Sequence, residues 1–291
     1  MISNIDQTPT KLKIITDSSC DLPDAFLKEY DIDYVPFYVN IDGKSYVDRT
    51  ELKPEVYYEQ LRSIKVLPTT SAPSPKDFFD KVNSVIKDYS TVIVTTISSK
   101  LSASHQSARV AAKRLREKSV HVFDSLSGSG GVGLLCLAAA KLARKGLKGD
   151  NLIKEVERIR KETILLGYVD NLENLVKSGR ISNFKYLIGR LMKAKPILQV
   201  KDGLIEPLSK ATGKEKAIKK MLNILYKRVN KDVKYDIMIT HGDDLETSKD
   251  ILKQIEKKVE LGEKIVNFLT PALATHLGLG TIVVTLSPSV D

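Results

Sequence analysis

Hydroxyl side chains gather in four short stretches of this chain: "TDSS" at 16–19, "TTS" at 69–71, "SSKLSAS" at 98–104 and "SLSGS" at 125–129. Three of the four follow a short apolar run and precede an amphipathic one; "TTS" reads as a loop before a helix. Hydroxyls beside the free N–H groups of a helix start can jointly hold a carboxylate or a phosphate. The sites this spacing nominates are Thr70 and Ser71, Ser102 and Ser104, and Ser125 and Ser129. A serine before a helix also serves as an ordinary N-cap, and the spacing alone leaves both roles open. Near the end of the chain, "THLGLG" sets His276 before Gly278 and Gly280, where glycine permits close backbone approach to a ligand. Arg180 in "KSGRISN" is either a turn arginine or an anion contact.

Several chemistries lack their residues. Serine catalysis on an α/β hydrolase needs a G-x-S-x-G elbow, which does not occur, and His105 directly follows Ser104, on another side of the helix. The stretch "KATGKEKA" lacks the first glycine of a phosphate-cradling loop. Cys20 and Cys136 have neither C-x-x-C spacing nor adjacent histidines, so two reduced thiols and no metal are expected.

The elements that must carry the hydroxyls follow a repeated order of strand, polar turn and helix. Leu12 to Ile15 reads as a strand, Asp17 to Ser19 as its turn, and Asp21 with Pro23 as a helix start. "TVIVTT" and "VHVF" repeat the strand, and the helix after the latter ends near Gly146. "NIDGKSYV" reads as a hairpin, and Ser74 with Pro75 as the cap and first residue of another helix. Such alternation predicts βαβ units on a parallel sheet, whose ligands settle outside the carboxyl ends of the strands. From about "KGLKGDNLIKEVERIRKE" the pattern changes. Strands at "TILLGYV", a hairpin turning on Asp202 and Gly203, "YDIMITH", "KIVNFL" and "GTIVVTL" predict a second α/β unit with a mixed sheet. Two α/β domains are therefore expected, residues 10–150 and 151–291, with only the first ten residues or so loose.

The 291 residues are long enough for a substantial core, and 42% hydrophobic with 28% charged is a soluble globular balance. No signal peptide and no run of about 18 uncharged apolar residues occurs, which predicts a cytoplasmic protein without integral membrane association. The net charge of +10 is spread over helix faces where acids interleave. Without an aromatic platform or recognition motif, specific nucleic-acid binding is not expected.

Taken together, the motifs resemble the DegV family of bacterial fatty-acid-binding proteins over nearly the whole chain. The matching residues are Thr16, Asp17 and Ser18; Thr70, Ser71, Pro73 and Ser74; Ser98, Ser99, Leu101 and Ser102; and Asp124, Ser125, Ser129, Gly131 and Gly133. Gly179 to Ser182 and Lys195 to Leu198 match further segments. The resemblance implies a long-chain fatty acid between the two domains, with no other cofactor. Its carboxylate would be held by Thr70, Ser71, Ser102 and His276, supported by Ser125, Ser129, Gly278 and Gly280. The acyl tail would lie in an apolar tunnel largely within the second domain. It also implies a non-enzymatic role as the binding component of fatty acid kinase, presenting the carboxylate to an ATP-dependent kinase subunit for acyl-phosphate formation, with Arg180 near the docking or transfer point. Ala103, Ser104 and Leu279 depart from the family's usual residues, as does the lack of an arginine near Thr212. The alternatives are an enzyme acting on a small acidic or phosphorylated metabolite at the serine rim, and a basic nucleic-acid-binding regulator.

Overall fold

The computed structural model describes residues 11–64, 66–115, 119–181 and 194–290; the first ten residues and Ser182, for which expectations were stated, lie outside this set. The first half runs β1 (Leu12–Asp17), α1 (Asp24–Glu29), β2 (Ile32–Val35), β3 (Tyr38–Ile41), β4 (Lys44–Val47), α2 (Pro54–Leu61), β5 (Thr69–Ser71), α3 (Pro75–Val85), β6 (Thr91–Thr96), α4 (Ser104–Leu115), β7 (Val120–Asp124) and α5 (Gly130–Arg144). Strands β2-β1-β6-β7 form a wholly parallel sheet. Its central strands are buried on both faces, as their near-continuous apolar runs require. The second half runs α6 (Gly149–Glu162), β8 (Ile164–Tyr168), α7 (Glu173–Lys177), β9 (Lys195–Lys201), β10 (Leu204–Ala211), α8 (Lys214–Arg228), β11 (Tyr235–His241), α9 (Leu245–Glu256), β12 (Leu261–Phe268), α10 (Pro271–Leu277) and β13 (Ile282–Pro288). Its sheet, β10-β9-β8-β13-β11-β12, is mixed, with β11 and β12 parallel and the other pairs antiparallel. Both expected sheets are present.

Local chemistry explains most of the boundaries. Asp42 and Gly43 (φ 47° and 79°), like Asp202 and Gly203 (φ 49° and 81°), take the left-handed conformations of two-residue hairpin turns. Ser74 caps α3 reciprocally: its Oγ accepts from Asp77 N at 3.2 Å, while the Asp77 carboxylate accepts from Ser74 N at 2.7 Å.

Two expectations change. Thr69–Ser71 is a strand rather than a loop, because it pairs antiparallel with Tyr38–Asn40 to make a third, three-stranded sheet. Asp21 does not start a helix; it is buried with φ 52°, and α1 begins at Asp24.

Helix α5 joins the two large sheets. Twelve of its fifteen residues are buried, and its small N-terminal residues let both sheets approach. A Cβ added at Gly130 would lie 2.8 Å from Thr285 Oγ1, on β13. One core consequently runs from Ile14 on β1 to Val283 on β13. Leu152, Val156 and Ile159 bring one face of α6 into the same core, and the expected division at residue 150 falls in the first turn of α6. Both cysteines are buried free thiols.

Candidate functional site

Most of the clustered hydroxyls bind the protein itself. Asp17, at the carboxyl end of β1, is fully buried and accepts from Ser104 Oγ at 2.6 Å, Ile97 N at 3.0 Å, Ser19 N at 3.3 Å and the Ser19 hydroxyl. Ser98 Oγ donates to Gly203 O at 2.8 Å and Lys100 Nζ to Asp202 O at 2.7 Å, so this loop docks on the β9–β10 hairpin. Ser125 bonds Ser127 through both N–H and C=O within its own turn. Ser129 Oγ donates to Asp21 Oδ2 at 2.6 Å and meets Thr240 Oγ1 at 2.7 Å.

Some of these hydroxyls also line an apolar cavity bounded by both halves of the chain. Thr70, Ser102, Ser129, His276 and Arg180 line it, together with Phe37, Ile97, Leu165, Leu198 and Val283 among other apolar residues. Thr70 Oγ1 lies 2.7 Å from His276 Nε2. Ser102 Oγ accepts from Ser104 N at 3.2 Å, and its own proton has no acceptor among the described residues. Ser71 is not brought to this group. Alternate residues of a strand face opposite ways, and Ser71 shares the exposed face with Thr69, where Asn40 Nδ2 donates to it at 3.2 Å. Ser125, Gly278 and Gly280 are also absent from the lining. The close approach at the two glycines is to backbone: Gly280 N donates to Gly242 O at 2.7 Å, and a Cβ on Gly242 would lie 2.5 Å from Gly278 O.

These contacts instead aim His276. The start of α10 is tied to two buried carboxylates, with Thr270 N donating to Asp21 Oδ1 at 2.9 Å and Ala272 N to Asp48 Oδ1 at 3.2 Å. Thr275 Oγ1 meets Tyr57 OH at 2.7 Å, and its carbonyl accepts from Asn174 Nδ2 at 3.1 Å. Burial, and then the nearby Arg180 cation, hold the His276 imidazole down at about 4, so it is neutral at physiological pH. Its buried Nδ1 has no partner among the described residues.

Arg180 is positioned by a helix ending. Gly179 takes φ 70° after α7, Gly179 N donates to Val176 O at 3.0 Å and Arg180 N to Leu175 O at 3.1 Å, which is a Schellman turn. The guanidinium donates to Ser178 O. Leu101, Ser102 and Arg180 line both the inner cavity and an outer polar depression that includes Lys100, His105 and Arg109. The apolar space thus borders a basic surface depression at Leu101, Ser102 and Arg180.

The buried carboxylates make stability pH-dependent. Burial raises Asp21 and Asp48 to about 7, against the hydrogen bonds they accept. A carboxyl whose folded pKa exceeds its unfolded value of about 3.8 binds its proton more tightly when folded, so stability increases as pH falls through 7. The protein is expected to melt at a higher temperature at pH 6 than at pH 8.5, and Asp48→Asn to flatten that difference. His276, held down at about 4, works in the opposite direction below about pH 6.5, so the comparison with Asp48→Asn decides: an unchanged pH dependence in that variant would contradict the assignment.

The family model described as "Uncharacterised protein, DegV family" matches residues 11–289. The chain belongs to the DegV family. A curated relative, the fatty acid-binding protein of Thermotoga maritima, is 32% identical over 277 residues, covering 94% of this chain and 96% of its own. The structure of a DegV family protein from Thermus thermophilus, described for its fatty acid binding, superposes with a TM-score of 0.89 at 29% identity over 96% of this chain and 100% of its own. DegV of Bacillus subtilis, a fatty acid binding protein, gives a TM-score of 0.86 at 27% identity over 96% and 100% of the two chains. Among the described residues no helix is long and apolar enough to cross a membrane.

Residues missed by sequence reasoning include Ile97, just beyond β6, and Leu165, near the start of β8, apolar residues that give no local sign that a cavity lies against them. Asp48 was also missed. It follows a hairpin strand, and only the arrival of Ser18 and Ala272 from distant segments gives it a role.

Proposed function

We propose that this DegV family protein binds a long-chain fatty acid in the apolar cavity. Thr70, Ser102 and His276 hold the carboxylate, the first half of the chain (10–150) supplies the hydroxyls, and the second half (151–291) supplies most of the apolar wall. The observation that carries this assignment is a predominantly apolar cavity whose few polar lining residues include the hydrogen-bonded Thr70 and His276. A carboxylate at Thr70 selects the tautomer in which His276 Nε2–H donates to Thr70 Oγ1, leaving the threonine proton for the ligand. Burying about 14 methylenes at ~0.8 kcal/mol each gives roughly 11 kcal/mol gross before ordering costs, so the tail dominates affinity and the polar group sets orientation. A small acidic or phosphorylated metabolite would leave this apolar wall unfilled.

The carboxylate is presented to a separate ATP-dependent kinase subunit in the cytoplasm. There a carboxylate oxygen attacks the γ-phosphorus of ATP, ADP leaves, and acyl phosphate forms. Arg180 supports this role because it borders both the cavity and the outer basic depression. Protein purified without added lipid is expected to release an acid of 14 to 18 carbons on denaturing extraction, read by mass spectrometry. Repeated preparations without an acyl species, and without uptake of added fatty acid, would overturn lipid binding. With the cognate kinase subunit and ATP, bound acid should be trapped as a hydroxamate, and less of it with Arg180→Ala. Turnover by this chain alone would overturn the carrier role, and full turnover by a lipid-loaded Arg180→Ala protein would remove Arg180 from transfer.

A further inference from the structure

Strand β8 presents Leu165 and Gly167, and Val169 just beyond it, to the cavity; Leu166 and Tyr168, on its other face, enter the core that also holds Ala217 and Met221 of α8. Gly167 lies directly opposite Leu198 on one neighbouring strand and Val283 on the other, and both of these line the cavity as well. The glycine is therefore the missing member of a row, enclosed by four branched side chains. Strand geometry puts the flanking backbones of β9 and β13 roughly 10 Å apart and the Cα atoms of Leu165 and Val169 about 13 Å apart, so the gap is longer along β8 than across it.

Nothing in the local backbone calls for glycine here. Gly167 is not among the positive-φ residues, and an added Cβ would make only ordinary contacts, 3.8 Å to Val283 Cγ2 and 3.9 Å to Ile282 O. Glycine in a strand interior weakens the strand, and often marks a place where another molecule comes close. Gly131 and Gly133 contrast with it, since a Cβ there would approach Ser127 Oγ to 1.9 Å and Cys20 O to 2.4 Å. Those two glycines are explained by packing, whereas Gly167 leaves space in the cavity wall.

We propose that Gly167 is a specificity-determining residue, whose missing side chain forms a notch that accepts an acyl chain bent in mid-chain, as by a cis double bond. This rests on the fatty-acid assignment above. A cis bond displaces the chain sideways over several carbons, which matches a gap elongated along the strand better than the point protrusion of a methyl branch does. Filling the notch removes the space the bend requires and leaves a straight chain its path along the wall.

The test titrates delipidated wild-type, Gly167→Ala and Gly167→Val proteins with cis-9-hexadecenoic acid and with hexadecanoic acid, which have the same chain length and differ by one cis double bond. The expected result is that Gly167→Val raises the Kd ratio of bent to straight acid about tenfold, and Gly167→Ala about threefold. Thermal melts check folding, and the alanine variant carries the test if the valine variant does not fold. An unchanged ratio, or equal weakening for both acids, overturns the notch while wild-type binding leaves the fatty-acid assignment standing. Wild-type protein that takes up neither acid overturns both.

Discussion

Replacing His276 by alanine is expected to weaken fatty-acid retention by about 1.5 to 3 kcal/mol, or roughly ten- to a hundredfold in Kd, with the fold intact. The imidazole is neutral, so its contribution is not an ion pair. It holds the Thr70 hydroxyl, 2.7 Å away, in the orientation that points the proton toward the ligand. Without the ring, Thr70 rotates freely and a buried carboxylate loses a charge-assisted donor. Because burial holds His276 at about 4, wild-type affinity should stay level between pH 6 and pH 8. Ser102→Ala should cost a similar amount, since the Ser102 proton has no other described acceptor. Calorimetric titration of delipidated protein with palmitate decides: an alanine variant that binds as tightly as wild type removes that residue from the carboxylate site. A rise in wild-type affinity as pH falls from 8 to 6 would show that the charged imidazole is the binding form.

The parts of this structure legible in the sequence are those set by neighbours in the chain. The Ser74 and Pro75 helix start, the Asp-Gly hairpins and the strand, turn and helix order each depend on a few adjacent residues. Local spacing nominates Thr70 and His276 separately and the family resemblance joins them at one carboxylate; their side chains meet although 206 positions separate them. The strand at Thr69–Ser71 was not legible, because three residues carry little periodicity and its partner β3 lies about 30 positions away. That pairing decides which hydroxyls face the cavity. It turns Thr70 inward and Ser71 outward, a distinction invisible in the string "TTS". Similarly, "SSKLSAS" looks like one polar cluster, yet Ser98 holds a distant hairpin, Ser104 holds Asp17, and Ser102 reaches the cavity. Local spacing nominates hydroxyls; tertiary pairing separates structural ones from those left for a ligand.

Gly133→Ala in α5 is expected to destabilise the protein by about 1 to 3 kcal/mol or more, the usual cost of overpacking a close-packed interior. The sign is what makes this informative, because alanine in place of glycine inside an unconstrained helix stabilises by about 1 kcal/mol. At Gly133 the new methyl would lie 2.4 Å from the Cys20 carbonyl, and also 3.1 Å from Leu22 Cγ and 3.2 Å from Met238 Sδ. The nearest of these is backbone, in the turn that leads out of β1, and it cannot rotate away as a side chain can. Met238 belongs to β11, so the methyl also presses on the second sheet. Relief requires α5 to move from one or both sheets. Ser129, the residue before α5, lines the cavity and bonds Asp21, whose other carboxylate oxygen holds the start of the helix bearing His276. A displaced α5 should therefore loosen fatty-acid retention together with stability, although Gly133 itself does not line the cavity. Urea denaturation with and without bound palmitate measures both effects. A Gly133→Ala protein with a raised midpoint would mean that helix propensity outweighs the contact, and that α5 is not wedged between the sheets as described.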